Sequence, residues 1–96
     1  MPPIVENDAL YDIDRLFKEI QPHHIVVYND DVNTFDHVIK CFRIILGHSS
    51  EQAEQCAIII NDKGSCSVKK GSTESLTAYN DALHDAGIDS HIEEIC

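Results

Sequence analysis

Residues 24–31 read His-Ile-Val-Val-Tyr-Asn-Asp-Asp, and the change of character within this stretch decides the fold. The β-branched and aromatic residues from Ile25 to Tyr28 predict a buried strand. The polar residues after them are typical of a turn, because Asn and Asp tolerate turn geometry and bond local amides. A helical pattern begins almost at once, at Thr34 and Phe35. The stretch therefore predicts a strand, a polar turn and a helix in immediate succession.

Taken on their own, the adjacent carboxylates of Asp30 and Asp31 have two interpretations. A solvated turn explains them without any ligand. Two carboxylates beside an apolar helix face also offer oxygen ligands to a small cation. The spacing of the residues leaves both interpretations open.

Apolar residues recur at i, i+3, i+4 and i+7 in three stretches and predict three amphipathic helices. The first follows the polar turn, is capped by Asn33 or Thr34, and is ended by Gly47. The second opens at Ser49, which stands at capping-box spacing from a glutamine, and ends near residues 61–64.

The third helix is predicted between Ser72 and Gly87. Residues 58–60 are three isoleucines that by themselves also fit a strand, but the cap before them and the glycine after them favour a helix. Alternating or β-branched residues predict further strands at 65–69 and 90–95.

The resulting order predicts an α+β fold, a small βααβαβ domain whose three-stranded sheet has its helices packed on one face. We expect this domain over residues 23–96. Residues 1–22 are expected to form an N-terminal arm, in which apolar residues recur at helical spacing after a cap at Asn7 or Asp8.

Composition excludes several classes of function. The chain has 17 acidic and 7 basic residues, a net charge of -10. This balance argues against nucleic acid, whose phosphates are neutralised by Lys and Arg, and favours positively charged partners. The sequence has no apolar run of about 18 residues, so no membrane span is predicted. It also has no basic start followed by an apolar stretch, so no secretory signal is predicted. We therefore expect a cytoplasmic protein without membrane association.

The cysteines do not form a metal-binding motif. Cys41, Cys56, Cys66 and Cys96 lack C-x-x-C spacing and are expected to be reduced. His37 and Cys41 are four residues apart on one predicted helix, a possible pair of ligands, but no third ligand is evident. No metal and no cofactor is predicted.

The motif Tyr-Asn-Asp-Asp at 28–31, followed by Asn-Thr-Phe at 33–35, resembles ClpS, the adaptor family of bacterial Clp proteases. The similarity runs over residues 25–87 and leaves the arm outside. The resemblance implies a non-enzymatic adaptor for proteins whose first residue is Leu, Phe, Tyr or Trp. Such an adaptor delivers its substrates to a ClpA- or ClpC-type unfoldase, and its arm helps in their transfer.

The resemblance also implies a binding site for the first residue of the substrate. A free α-ammonium group requires acceptors, preferably ionised, and its side chain requires a closed apolar pocket. By resemblance, Asn29 and Asp30 meet the ammonium group, and Asp31 orients the turn. The positions of the pocket wall correspond to Asn33, Phe35, Val38, Ala57 and Ile60.

Four departures from the family pattern bear on the preferred first residue. Asn61 stands where the family usually has a His; its oxygen accepts a hydrogen bond, but it cannot titrate. Ala57 replaces a common Met and should enlarge the pocket. Phe35 stands at another position where Met is frequent, and its larger side chain should partly refill the pocket. Asn33-Thr34 replaces a common Thr-Pro and keeps a helix cap. Which first residue is preferred stays open.

A second surface is implied for the unfoldase. Glu74 matches an acidic family position at the start of the third helix, and Tyr79 replaces a usual Lys. The helix dipole alone explains Glu74 equally well, because acidic side chains stabilise the first turn of a helix.

Two other functions fit parts of the sequence. A hydrolase would use Asp30 and Asp31 with a histidine and a metal, but no H-E-x-x-H motif, nucleophile elbow or Gly-rich phosphate loop supports it. A protein-interaction domain of the ribosomal-stalk C-terminal type shares the βααβαβ order. Such a domain has no need of acceptors beside a pocket. We expect a monomeric adaptor.

Overall fold

Strand β1 is the centre of the fold. The computed structural model describes residues 22–95, in which β1 (His23–Tyr28) pairs antiparallel with both β2 (Ser65–Gly71) and β3 (Ser90–Glu94). The order across the sheet is β2-β1-β3. The predicted buried strand is confirmed, and it begins two residues earlier than expected. The helix predicted within the arm lies outside the described residues.

Three α-helices connect the strands. α1 (Phe35–Leu46) and α2 (Ser50–Lys63) lie between β1 and β2, and α3 (Thr73–Asp85) lies between β2 and β3. Each helix begins after a hydroxyl side chain that accepts a hydrogen bond from the N–H three residues on, which satisfies one of the free donors of the first turn. These caps are Thr34, Ser49 and Ser72.

Two alternatives left open by the sequence are resolved. Thr34 rather than Asn33 caps α1, and its Oγ1 accepts from the N–H of His37 at 3.1 Å. The isoleucines of residues 58–60 are helical. They belong to α2 because the helix continues to Gly64, whose φ of 92° is in the left-handed region that favours glycine.

Strand β2 contains an irregularity that its alternating pattern did not predict. Its register on β1 omits Val68, since Ser67 and Lys69 pair with consecutive residues of β1. Val68 is therefore the extra residue of a β-bulge. Its carbonyl oxygen accepts a hydrogen bond from Nε2 of His48 at 2.8 Å.

The helices pack on one face of the sheet through a single apolar core. Full burial of one large side chain contributes about 1.5–3 kcal/mol, so this layer fixes the helices on the sheet. Its largest fully buried apolar side chains are Ile25 and Val27 from the sheet and Phe42, Leu76 and Leu83 from the helices. The α+β prediction is confirmed.

Candidate functional site

The polar turn of residues 29–33 lies where the ends of all three strands meet. The N–H of Tyr28 donates to the carbonyl oxygen of Asp89 at 2.9 Å, just before β3. The N–H of Asn29 donates to the carbonyl oxygen of Gly64 at 2.9 Å, between α2 and β2. These two bonds hold the turn between the end of α2 and the loop that precedes β3.

Asp30 organises the turn. Its Oδ1 accepts from the N–H of Val32 at 2.9 Å and from the N–H of Asn33 at 2.8 Å, and its Oδ2 accepts from Nδ2 of Asn33 at 2.9 Å. The hydrogen bond from the Asn33 N–H is the main reason that the pKa of Asp30 lies below its usual value of 3.8, although partial burial acts in the opposite sense. The carboxylate is therefore ionised at neutral pH.

Asn33 links this turn to the far side of the site. Its Nδ2 also donates to the carbonyl oxygen of Gly87 at 2.7 Å, so both amide hydrogens are used. Gly87 has a φ of 84°, a conformation that favours glycine, and it lies in the loop between α3 and β3. The start of α1 and this loop are thereby joined through one side chain.

A cavity of about 120 Å³ opens beside Asp30, between α1 and α2. A cavity of about 150 Å³ holds benzene, so this one has the scale of a single apolar side chain. A smaller recess of about 30 Å³ shares five of its lining residues and extends it toward Val27 and Ile88. The residues that line the main cavity are Asn29, Asp30, Asn33, Phe35, Val38, Ala57, Ile60 and Asn61.

Polar acceptors stand at the opening of the cavity and apolar groups form its walls. Asn29 and Asn61 are exposed, and neither side chain has a hydrogen-bond partner within residues 22–95. Phe35 is 44% exposed and lies at the rim, whereas Ala57 and Ile60 are buried. The arrangement offers an anionic and amide-lined entrance to an apolar space.

Eight of the nine side chains assigned by resemblance to the first-residue site line this one cavity. Asp31 does not. It is exposed, and its side chain makes no hydrogen bond within the described part of the chain. The turn is oriented by Asp30 rather than by Asp31, because only Asp30 reaches the amides of the turn.

Sequence reasoning missed the back of the site. Val27, Tyr28 and Ile88 line the recess behind the main cavity. Ile88 is 3% exposed and follows Gly87. An apolar residue directly after the glycine that ends a helix was the available signal, since such residues commonly pack back on the helix.

The two residues assigned to the unfoldase surface lie on α3, away from the cavity. Glu74 is exposed in the first turn of α3, and Tyr79 is half-buried. Their spacing places them about 140° apart around the helix axis. Nζ of Lys69 lies 4.6 Å from the centroid of the Tyr79 ring, a cation–π contact.

His37 has a structural partner. Its Nε2 lies 2.9 Å from the carbonyl oxygen of Ala86 and 3.5 Å from Sγ of Cys41. Because a carbonyl oxygen only accepts, Nε2 carries the hydrogen, and this bond from His37 to Ala86 ties α1 to the end of α3. Within residues 22–95, no group of three His, Cys, Asp or Glu residues could hold a metal ion. No helix in that range is long and apolar enough to cross a bilayer.

Fold and cavity together define a small binding domain with an anionic entrance to an apolar pocket. The family model of the ATP-dependent Clp protease adaptor protein ClpS matches residues 18–91, and the chain belongs to this family. Membership of a family of protease adaptors favours neither a ribosomal-stalk type of interaction domain nor a hydrolase.

The chain is also similar to individual proteins and to a solved structure. The ClpS adapter of Corynebacterium efficiens is 27% identical over 86 residues, which cover 90% of this chain and 85% of that protein. The E3 ubiquitin-protein ligase ubr-1 of Caenorhabditis elegans is 33% identical over 63 residues, 66% of this chain but 3% of that protein. Agrobacterium tumefaciens ClpS2, solved with L-phenylalaninamide bound, has the same fold with a TM-score of 0.71 at 15% identity. The superposition covers 78% of this chain and 98% of that one.

Proposed function

We propose that this ClpS-family protein binds substrates through a free, large hydrophobic N-terminal residue and delivers them to a ClpA- or ClpC-type unfoldase. It acts without catalysis, as a monomer, in the cytoplasm. The observation that carries the proposal is the ionised Asp30 carboxylate at the entrance of an apolar cavity. An N-terminal residue combines the two matching groups, an α-ammonium and a side chain, on one carbon atom.

The acceptors at the entrance suit an ammonium group. A carboxylate offers about four lone-pair sites, and the turn uses three of those of Asp30. The remaining site and the side-chain oxygens of Asn29 and Asn61 supply three acceptors for the three hydrogens of the ammonium. The bond to Asp30 is charge-assisted and is the strongest of the three.

The cavity suits the side chain of that residue. Val38, Ala57 and Ile60 offer apolar walls without an unpaired polar group, and the volume is close to that of a benzene-sized cavity. The relative from Agrobacterium tumefaciens was solved with L-phenylalaninamide, which has a free α-amine beside an aromatic side chain. We therefore expect Phe and Leu among the accepted first residues.

The experiment is a fluorescence anisotropy titration with labelled Phe- or Leu-starting peptides, each with a free or an acetylated N-terminus. Acetylation removes the charge and two of the three hydrogens, so binding should be abolished. Equal affinity for the free and the acetylated peptide would refute the proposal.

The matched variants are Asp30→Asn and Asp31→Asn. Both remove one negative charge, but only Asp30 lines the cavity. A hydrogen bond to a charged group contributes about 1.5–3 kcal/mol, so Asp30→Asn should weaken the free-amine peptide by roughly tenfold to a hundredfold. Asp31→Asn should bind nearly as the wild type does. Equal weakening by both variants would indicate general charge attraction instead, and circular dichroism verifies that each variant is folded.

Delivery is proposed to use the surface at the start of α3. Tyr79 stands where the resemblance has a Lys, and the ammonium group of Lys69 lies against its ring. Positive charge is thus present beside Tyr79, although it comes from β2. Glu74→Ala and Lys69→Ala should slow degradation of a Phe-starting substrate by the unfoldase and its protease, with peptide affinity unchanged. Loss of peptide affinity in these variants would contradict a separate delivery surface.

A further inference from the structure

Positive charge is concentrated on one face of this acidic protein. Residues 22–95 carry twelve acidic and five basic side chains. Four of the five basic side chains line two clefts that share His48 and are therefore neighbours. We call the two clefts together the basic groove. Its four basic residues are Lys40, Arg43, Lys69 and Lys70.

The two clefts are large and lie away from the first-residue cavity. The cleft along α1 has a volume of about 590 Å³, and the cleft between the start of α2 and β2 has about 480 Å³. No residue that lines the first-residue cavity lines either of them. A ligand in the basic groove therefore need not contact a residue of that cavity.

The positive charges of the basic groove are not neutralised by the described part of the chain. Within residues 22–95, Lys40, Arg43 and Lys70 form no ion pair with a carboxylate. Asp36 is the one acidic residue among those that line the two clefts. Among the described residues, the groove therefore carries four positive charges and one negative charge, a local balance that favours anionic groups.

The basic groove also has an apolar component. Ile44, which is 71% exposed, and the half-buried Ile39 line the cleft along α1 together with Lys40 and Arg43. A role of these charges in solubility alone would not explain why an isoleucine is exposed in the same cleft. Apolar side chains that share a cleft with cations lacking an ion pair within residues 22–95 suit a ligand that carries acidic and apolar groups together.

We propose that the basic groove is a docking site for an acidic peptide segment that also carries apolar side chains. A nucleic acid suits it less, because a long polyanion is repelled by the net charge of -10 and offers nothing to Ile44. A short acidic segment places its few charges on Lys40, Arg43 and Lys70 and its apolar side chains along α1. The segment belongs to a partner protein and docks while the first-residue cavity is free or filled.

The test is a titration of the full chain with a fluorescein-labelled, N-acetylated peptide of Glu and Leu, about twelve residues long, which matches a short helical ligand. Acetylation excludes the peptide from the first-residue site, so the result is independent of the proposed function. Binding should be saturable and should weaken when the ionic strength rises from about 0.05 to 0.5 M, because salt screens the contacts. A peptide with Gln in place of Glu should not bind.

Arg43→Glu and Lys63→Glu are matched variants. Each changes the net charge by the same amount, and each replaces the basic residue in the last turn of its helix. Only Arg43 lines the basic groove. Arg43→Glu should weaken the acidic peptide about tenfold, since it replaces attraction by repulsion, whereas Lys63→Glu should leave its affinity nearly unchanged.

Four results would overturn the proposal. The first is that the peptide shows no saturable binding at low salt, and the second is that the two variants weaken it equally. The third is that a single-stranded RNA or phosphatidylserine vesicles bind in place of the peptide. The fourth is self-association of the protein that Arg43→Glu removes. The last would assign the groove to a second copy of the chain. The circular dichroism spectrum of Arg43→Glu should match that of the wild type, which shows that the variant is folded.

Discussion

Asn33→Ala tests whether one side chain holds the pocket together. Nδ2 of Asn33 donates to Oδ2 of Asp30 at 2.9 Å and to the carbonyl oxygen of Gly87 at 2.7 Å. A hydrogen bond to a charged acceptor contributes about 1.5–3 kcal/mol, and one to a neutral acceptor about 0.5–1.5 kcal/mol. Because Asn33 is only half-buried, the lower ends of these ranges apply. The substitution should therefore lower the free energy of unfolding by about 2 kcal/mol.

Urea unfolding followed by circular dichroism measures this loss. With an m-value of about 1 kcal/mol per molar urea for a chain of this size, the midpoint should fall by about 2 M. The matched control is Asn61→Ala, since Asn61 lines the same cavity but is exposed and without a hydrogen-bond partner within residues 22–95. It should change stability by no more than about 0.5 kcal/mol.

Binding supplies a second measurement on the same two variants. Asn33→Ala releases both Asp30 and the loop that carries Ile88, so it should weaken a Phe-starting peptide by more than Asn61→Ala does. Equal unfolding midpoints for the two variants would refute the linking role of Asn33. An unchanged peptide affinity in Asn33→Ala would show that the pocket does not depend on this link.

Four further expectations concern the pocket wall, the stability at acid pH, the partly buried thiol of Cys66 and the N-terminal arm. Ala57→Met adds three heavy atoms, roughly 90 Å³ at the volume of one water each, to a cavity of about 120 Å³; the ratio of peptide affinities should shift from Phe toward Leu, and an unchanged ratio would contradict the assigned wall. The pKa of Asp30 is lower in the folded protein than its usual 3.8, so the ionised carboxylate stabilises the fold fully above pH 3.8. This stabilisation is lost as the pH falls through the pKa of the folded state. The free energies of unfolding of the wild type and Asp30→Asn should therefore converge below pH 3.8. Burial raises the pKa of Cys66 to about 12, so iodoacetamide at neutral pH should label it far more slowly in the native protein than in urea, by mass spectrometry; fast native labelling would contradict this burial. Removal of residues 1–22 should spare peptide binding but impair delivery in a degradation assay, and undiminished degradation would count against a role of the arm.

The helices and the central strand could be predicted because their signals are local. Ser49 and Ser72 cap their helices where the sequence placed them, since a cap depends on one side chain and an amide three residues on. The choice between Asn33 and Thr34 was not local. Asn33 is drawn away from capping by Gly87, a partner 54 residues along the chain.

The site was predictable in part for the same reason. The motif identified Asp30, but the residue that orients the turn could not be separated from its neighbour Asp31 by sequence alone. Ile88 and the recess behind the cavity were missed because they depend on the path of the α3–β3 loop. The bulge at Val68 was missed because an extra residue leaves the apolar spacing of a short strand almost unchanged.

The bulge at Val68 has a consequence for the solution behaviour of the protein. β2 is an edge strand, and an edge with regular N–H and C=O groups is a template on which another chain can add as a strand. The extra residue breaks that regularity, and the imidazole of His48 donates a hydrogen bond to the Val68 carbonyl oxygen. The charged residues Lys69 and Lys70 follow Val68 in the strand. Such an edge resists aggregation. This protection applies to the β2 side of the sheet, whose other edge is β3.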